Sequence, residues 1–426
     1  MSRILILTAS PQRDKVIDEQ IAIELRKKGH EVHVKPCLRE GRQSVLELQP
    51  DVVVVPPIRN PYSRDFAEQL KKWGCGVITR HTEASCDWKD YKKMTQEQKG
   101  QILGLWKYPV DVELVWSSDE AQILNQRQAP FKAVAVGSLT CDIYMKDEKQ
   151  RQAIEATPSR TDFNKKYGFS DKKKNLLIAC PWGFADSAPD LQIDDMKDAA
   201  KAEDAKIAHI AMIKKVREKL GGRYNILVTL HPGIKPEIYS SQLKEKIDTE
   251  STAYQLLTNV DVLIHGGSTM AINAHLLDIP AFQFQDQNCF KSYGWFDDPD
   301  TALSRISPRF DNADKLIAAF KGLRRKSNAN KEQLAELAAG RYGVMDGKAT
   351  ARSAEIIHQI HGKFAMCWPE STKDYNQPGL AYKKIEDFLN QIMCNVCKHP
   401  YFAVKDAMAR VEGFCCPWCG ARTFAK

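Results

Sequence analysis

Short apolar runs along this chain alternate with longer stretches of helical periodicity. Ile4 to Leu7 reads as a strand, Lys15 to Lys28 repeats its apolar positions at helical spacing, and Gly29-His30 closes that helix before the strand Glu31-Val32-His33-Val34. That is a β-α-β unit. Further apolar runs follow at Asp51 to Val55, Gly76 to Thr79, Val112 to Trp116 and Ala133 to Val136, most of them separated by helical or turn-rich segments. Strands in this order favour a parallel sheet covered by helices on both faces. We therefore read residues 1–155 as an N-terminal Rossmann-like domain.

The charged stretch Asp147 to Asp171 reads as a helix and linker. A second series of strands begins at Asn175 to Ala179, with a long polar helix from about Asp195 to Leu220. Strands then recur at Tyr224 to Thr229, Val260 to Ile264 and Ala281 to Phe284. Helical patterns over Asn312 to Lys326 and Lys331 to Ile360 complete a second Rossmann-like domain, 173–365, with trailing helices able to pack back across the domains. The architecture expected is α/β: two tandem Rossmann-like domains facing a cleft.

Composition narrows the class. Over 426 residues, 43% are hydrophobic and 27% charged, which suits packed domains and argues against disorder across the bulk. No run approaches the roughly 18 apolar residues that a membrane-spanning helix needs, and Arg3 to Thr8 is too short for a signal-peptide core, so a cytoplasmic location is expected. The net charge of +8 suits an anionic partner, whether nucleotide, acidic glycan, membrane surface or nucleic acid, without choosing among them.

Two motifs stand at successive strand ends. Leu230-His231-Pro232-Gly233 follows Tyr224 to Thr229, and His265-Gly266-Gly267-Ser268-Thr269 follows Val260 to Ile264. Doubly wound folds hold phosphorylated ligands at such positions. Gly266 and Gly267 let the backbone approach a ligand closely, while Ser268 and Thr269 can cap the next helix and turn free N–H groups toward an anion. His231 can donate from its ring to a phosphate oxygen, and Pro232 with Gly233 stops the strand. Ordinary turn punctuation explains either motif alone; the pair points to a nucleotide site.

The segment Val260 to Phe284, with its Asp-Val-Leu-Ile-His-Gly-Gly-Ser-Thr core and following Leu276 to Pro280, resembles the carboxyl-terminal domain of bacterial surface-carbohydrate glycosyltransferases of the GT-B fold. Val136 to Tyr144 resembles that family's Gly-x-x-x-x-Asp element, and Thr82-Glu83 its amino-domain Thr-Glu element. The His-Pro and Ser-Thr pairing is also similar to the nucleotide-contacting motifs of sialyltransferases and Kdo transferases. The resemblance implies a nucleotide-sugar donor, CMP- or UDP-linked. Where many GT-B enzymes carry a Glu for donor hydroxyls, this chain has Asn273, which hydrogen-bonds without charge.

On this reading the second domain holds the donor, with His231, Gly267, Ser268 and Thr269 stabilising charge on the departing phosphate. The first domain holds the acceptor. Glu83, with His81 two residues earlier, is the first choice for taking the acceptor's proton, and Asp87 and Asp142 are weaker candidates. Arg59 and Tyr62 can grip an anionic or sugar group, although Asn60-Pro61 between them reads first as a turn.

The carboxyl terminus adds a metal motif. Cys394-x-x-Cys397 and Cys416-x-x-Cys419 have the spacing of a zinc ribbon, in which four thiolates close a tetrahedral Zn2+ site, and 391–426 is read as that module. Cys415 can substitute for Cys416 as a ligand, and redox dithiols or disulfides are the alternative chemistry. So small a module has too little core to fold without metal. Lys398, His399, Lys405, Arg410, Arg422 and Lys426, interleaved with aromatics, allow protein docking or nucleic-acid contact.

Three functions compete: transfer of a sugar to a surface polysaccharide or lipid-linked saccharide; transfer to a hydroxymethylated base in DNA, as in a phage; and a non-catalytic nucleotide-binding scaffold with a zinc-ribbon docking module. A nucleotide-sugar epimerase would share the fold and its phosphate chemistry.

Overall fold

The computed structural model describes residues 1–9, 11–37, 39–57, 61–81, 110–125, 132–180, 199–230, 236–285, 306–323, 333–334 and 342–360, with four short strands beyond them. Two compact units emerge, 1–145 with 338–426 and 146–337.

The first unit alternates β1 (Arg3–Thr8), α1 (Pro11–Lys27), β2 (Glu31–Pro36), α2 (Arg39–Leu48), β3 (Val52–Val55), α3 (Pro61–Lys72), β4 (Gly76–Arg80), β5 (Val112–Val115), α4 (Ser118–Asn125) and β6 (Lys132–Ala135). The six strands form a parallel sheet in the order β2-β1-β3-β4-β5-β6. Ile4 through Leu7 are fully buried, because helices cover both faces and successive side chains point to opposite sides. On one face Ile17, Ile21 and Leu25 of α1, spaced by four, meet Ile4, Ile6, Val52, Val54 and Ile78. On the other, Val45 of α2 and Phe66, Ala67 and Leu70 of α3 meet Leu5, Leu7, Val53 and Val77.

The second unit begins with two capped helices, α5 (Glu148–Ile154) and α6 (Arg160–Tyr167), where the sequence suggested a helix and linker. Asp147 and Gln150 form a reciprocal capping box, Ser159 caps α6, and Gly168 ends it at φ 69°. Arg160 binds Asp261 at 2.6 Å and the Asn259 carbonyl at 2.9 Å, tying α6 to the rest of its own unit. Then come β7 (Lys174–Ala179), α7 (Ala199–Leu220), β8 (Tyr224–Thr229), α8 (Pro236–Ser240), β9 (Lys246–Asp248), α9 (Ala253–Leu257), β10 (Val262–His265), α10 (Met270–Leu276), β11 (Ala281–Phe284), β12 (Arg309–Phe310) and α11 (Ala313–Ala319). This sheet is also wholly parallel, ordered β9-β8-β7-β10-β11-β12. Counted within the unit that is 3-2-1-4-5-6, whose order reverses between β7 and β10.

α12 (Ala349–Ile360) belongs to the first unit. Ala349, Ala354 and Ile357 join the core beside α1. Buried Asp142 accepts hydrogen bonds from Ala349 N (3.0 Å), Thr350 N (2.7 Å) and Thr350 Oγ1 (2.8 Å), and Arg352 Nε donates to the Val136 carbonyl at 2.7 Å. Beyond it, β13 (Leu389–Met393) pairs antiparallel with β14 (Pro400–Val404), and β15 (Phe414–Cys415) with β16 (Arg422–Thr423). No helix among the described residues is long and apolar enough to cross a membrane.

Candidate functional site

The carboxyl ends of β7 and β10 flank the switch point of the second sheet, where open α/β sheets leave a crevice for ligands. β10 delivers His265 to that edge, and the chain turns at once through Gly266 to Thr269 into α10. Gly267 adopts φ 96°, which glycine alone takes readily, and its N–H donates to His265 Nδ1 at 3.1 Å. Met270 N–H donates to Ser268 Oγ at 3.2 Å. Ser268 therefore serves the first turn of α10, while Thr269, at the cap position, makes no side-chain cap bond. Both had been expected to cap. Among the described residues, no hydrogen bond engages the N–H of Ser268 or Thr269. The turn thus offers two amides to an anion.

His265 is fully buried. Burial, with a smaller contribution from His275, lowers its pKa to about 3, so the ring is neutral. Because Nδ1 accepts from Gly267, the proton resides on Nε2, which has no partner among the described residues. His265 is the register partner of Gln283 on β11 and of Ala179 on β7, and Ala179 in turn pairs with Thr229 on β8. A row of side chains thus crosses the sheet edge on one face. Behind it, His275 Nε2 lies 3.1 Å from Ser307 Oγ, and burial lowers the His275 pKa to about 4. Asn273 is buried within α10. His231, Pro232 and Gly233 lie outside the described residues, directly after Leu230.

In the first unit, β4 ends at a charged cluster. Buried Arg80 donates from Nη2 to Asp18 at 2.5 Å, and Thr8 Oγ1 donates to the same carboxylate at 2.7 Å. Burial raises the Asp18 pKa to about 7 against the opposing pull of Arg80 and Thr8. His81, the next residue, lies on the other face. Its Nε2 is 2.6 Å from Glu113 and its Nδ1 3.1 Å from Glu120, while its carbonyl accepts from Trp116 Nε1 at 2.7 Å. Burial pushes this imidazole's pKa down, but Glu120 and Glu113 override that and bring it up to about 9. His81 is therefore a cation with both nitrogens committed to carboxylates. These contacts tie β4 to β5 and α4. The Asp142 carboxylate anchors α12. Glu83, Asp87 and Arg59 lie outside the described residues, as does the side chain of Tyr62.

Sequence reasoning passed over Glu113, Glu120, Asp18, Arg80, Gln283 and the ring of His265. Glu113 interrupts an otherwise apolar strand, and Gln283 and Gln285 alternate with Phe282 and Phe284, so both signals were present in the pattern. Cys394, Cys397, Cys416 and Cys419 lie outside the described residues. Among the described residues, no group of acidic, histidine and cysteine side chains can hold a metal.

No family model matches the sequence, and no curated protein matches it. Solved structures do match. The wall teichoic acid polymerase TagF, in its H444N form with CDPG, superposes with a TM-score of 0.53 at 13% identity, covering 85% of this chain and 89% of that one. UDP-GlcNAc 2-epimerase from Neisseria meningitidis bound to UDP-GlcNAc superposes with a TM-score of 0.50 at 14% identity, covering 84% of this chain and 100% of the other. At such identities the likeness is one of fold, and the fold it shows is the pair of Rossmann-like parallel-sheet units of the GT-B class.

Proposed function

We propose that this chain is a glycosyltransferase that moves a sugar from a CMP- or UDP-linked donor to a hydroxyl of a surface polysaccharide or lipid-linked saccharide. The observation that carries this reading is the Gly266-Gly267-Ser268-Thr269 turn, with two amides that no hydrogen bond engages among the described residues, at the switch point of a 3-2-1-4-5-6 sheet. A ligand class with phosphate and sugar also suits the structural neighbours, one of which was solved with UDP-GlcNAc. In the reaction, the acceptor oxygen bonds to the anomeric carbon as the bond from that carbon to the phosphate oxygen breaks. The nucleotide leaves with the electron pair. The amides of Ser268 and Thr269 and the ring of His231 would stabilise the charge that grows on it. Glu83 in the first unit, which would bind the acceptor, is the proposed base for the hydroxyl proton.

The test is incubation of the full chain with UDP- and CMP-sugars plus saccharide acceptors, scored by release of free nucleotide. Release that requires acceptor and falls in His231→Ala supports transfer. Conversion of the donor sugar with the nucleotide still attached would instead select the epimerase chemistry of the second neighbour, and neither outcome with any donor would refute both.

We further propose that Cys394, Cys397, Cys416 and Cys419 hold one structural zinc. Their spacing supports this, as does chain order: each Cys-x-x-Cys falls between the partners of an antiparallel strand pair, β13 with β14 and β15 with β16. The metal would fold the module and play no part in transfer.

A further inference from the structure

The edge of the second sheet carries buried polar atoms with no partner among the described residues: His265 Nε2, Gln283 Oε1 and Gln285 Oε1. All three residues are at least nine-tenths buried, at 0%, 4% and 3% exposure. Unpaired buried groups of this kind are uncommon and call for a missing partner. Here they are neighbours. His265 and Gln283 are paired in register, and Gln285 lies two positions after Gln283, just past the end of β11, where its N–H donates to the Phe310 carbonyl at 2.9 Å. The row lies against the glycine turn, since a Cβ on Gly267 would sit 3.8 Å from Gln283 Nε2.

We propose that His265, Gln283 and Gln285 form a recognition row for hydroxyl groups of the donor ligand, carried by its ribose or its sugar. His265 Nε2–H donates, and the two glutamine carbonyls accept. The chemistry suits this class: a hydroxyl both donates and accepts, so one group can meet the imidazole N–H and a glutamine carbonyl together. The ring of His265 is neutral at physiological pH, so the row reads hydrogen-bonding pattern, leaving the ligand's charge to the adjacent amides. This inference rests on the nucleotide-sugar reading above.

The experiment measures binding of UDP, UDP-GlcNAc, CMP and 2′,3′-dideoxy-UDP to the full chain by calorimetry. The variants are Gln283→Leu, Gln283→Met and Gln285→Leu, each checked for folding by thermal denaturation. The expected result is binding at least about 10-fold weaker in each variant, with the penalty for the missing hydroxyls shrinking relative to the native chain. Shrinkage with dideoxy-UDP identifies ribose hydroxyls; shrinkage in the difference between UDP-GlcNAc and UDP identifies those of the sugar. Native affinity in all variants, with an unchanged hydroxyl penalty, would mean that trapped water fills the row and would overturn the proposal. Absence of nucleotide binding by the native chain would overturn the donor-site reading as well, so the two failures are distinct.

Discussion

Asp142 offers the sharpest test of how the chain is organised, because its carboxylate takes three hydrogen bonds from the start of a helix more than 200 residues later. Replacing it with Ala removes acceptors for Ala349 N, Thr350 N and Thr350 Oγ1, at 3.0, 2.7 and 2.8 Å. Hydrogen bonds to a charged acceptor are worth about 1.5–3 kcal/mol each, and unpaired donors at a buried helix start add a desolvation cost. These contributions overlap, so a net loss of about 3–5 kcal/mol is expected for Asp142→Ala. Asp142→Asn keeps one carbonyl acceptor but turns an amide N–H toward the donors, for a loss of about 1–3 kcal/mol. The damage should be local first. α12 is also held by Lys28 with Glu355 and by His30 Nε2 with His358 Nδ1, so the helix should fray from its start while its far end stays docked. Urea denaturation gives the magnitude, and hydrogen exchange over 349–360 gives the location. A loss below about 1 kcal/mol with unchanged exchange would refute the anchoring role. Lost activity at unchanged stability would return Asp142 to the catalytic candidates.

Three further outcomes follow from the same geometry. The His81 pKa rises from 6.5 to about 9 on folding, so the contribution of its charged form is fully present below about 6.5 and is lost as pH climbs through 9. The shift corresponds to about 3 kcal/mol, so urea midpoints should fall over that window, and the fall should vanish in the Glu113→Gln, Glu120→Gln double variant. Gly343 sits at φ 64°, and a Cβ there would lie 1.9 Å from the Trp116 carbonyl oxygen, so Gly343→Ala should cost more than about 2 kcal/mol. Gly168→Ala, at φ 69° with nothing within 4 Å, should cost only about 1 kcal/mol, and equal losses in thermal denaturation would contradict the steric account. Metal analysis should find one zinc per chain, and a chelator should expose 391–426 to protease without altering sugar transfer; a metal-free chain with the module equally resistant would defeat the zinc proposal.

The two sheets were legible because their strands are buried on both faces and so read as unbroken apolar runs, as Val52 to Val55 and Val262 to Ile264 show. What escaped depended on contacts that no local pattern encodes. An amphipathic helix such as α12 announces an apolar face but not the unit that will receive it. Its destination is set by Asp142 and by the glycines at 137 and 343, where added side chains would strike backbone carbonyl oxygens of Val344 and Trp116. Gly267 takes the positive φ that a glycine turn allows, whereas the roles of its neighbours depended on register. Only when β10 and β11 pair does His265 stand beside Gln283, and only then does an imidazole in a loop motif become part of a polar row. His81 shows the converse. Its position at a strand end suggested chemistry, yet two carboxylates from β5 and α4 take both of its nitrogens. A titratable group at the edge of a parallel sheet is thus a candidate for chemistry only while some of its hydrogen-bonding capacity is left unspent. By that criterion attention moves from His81 to His265, Gln283 and Gln285.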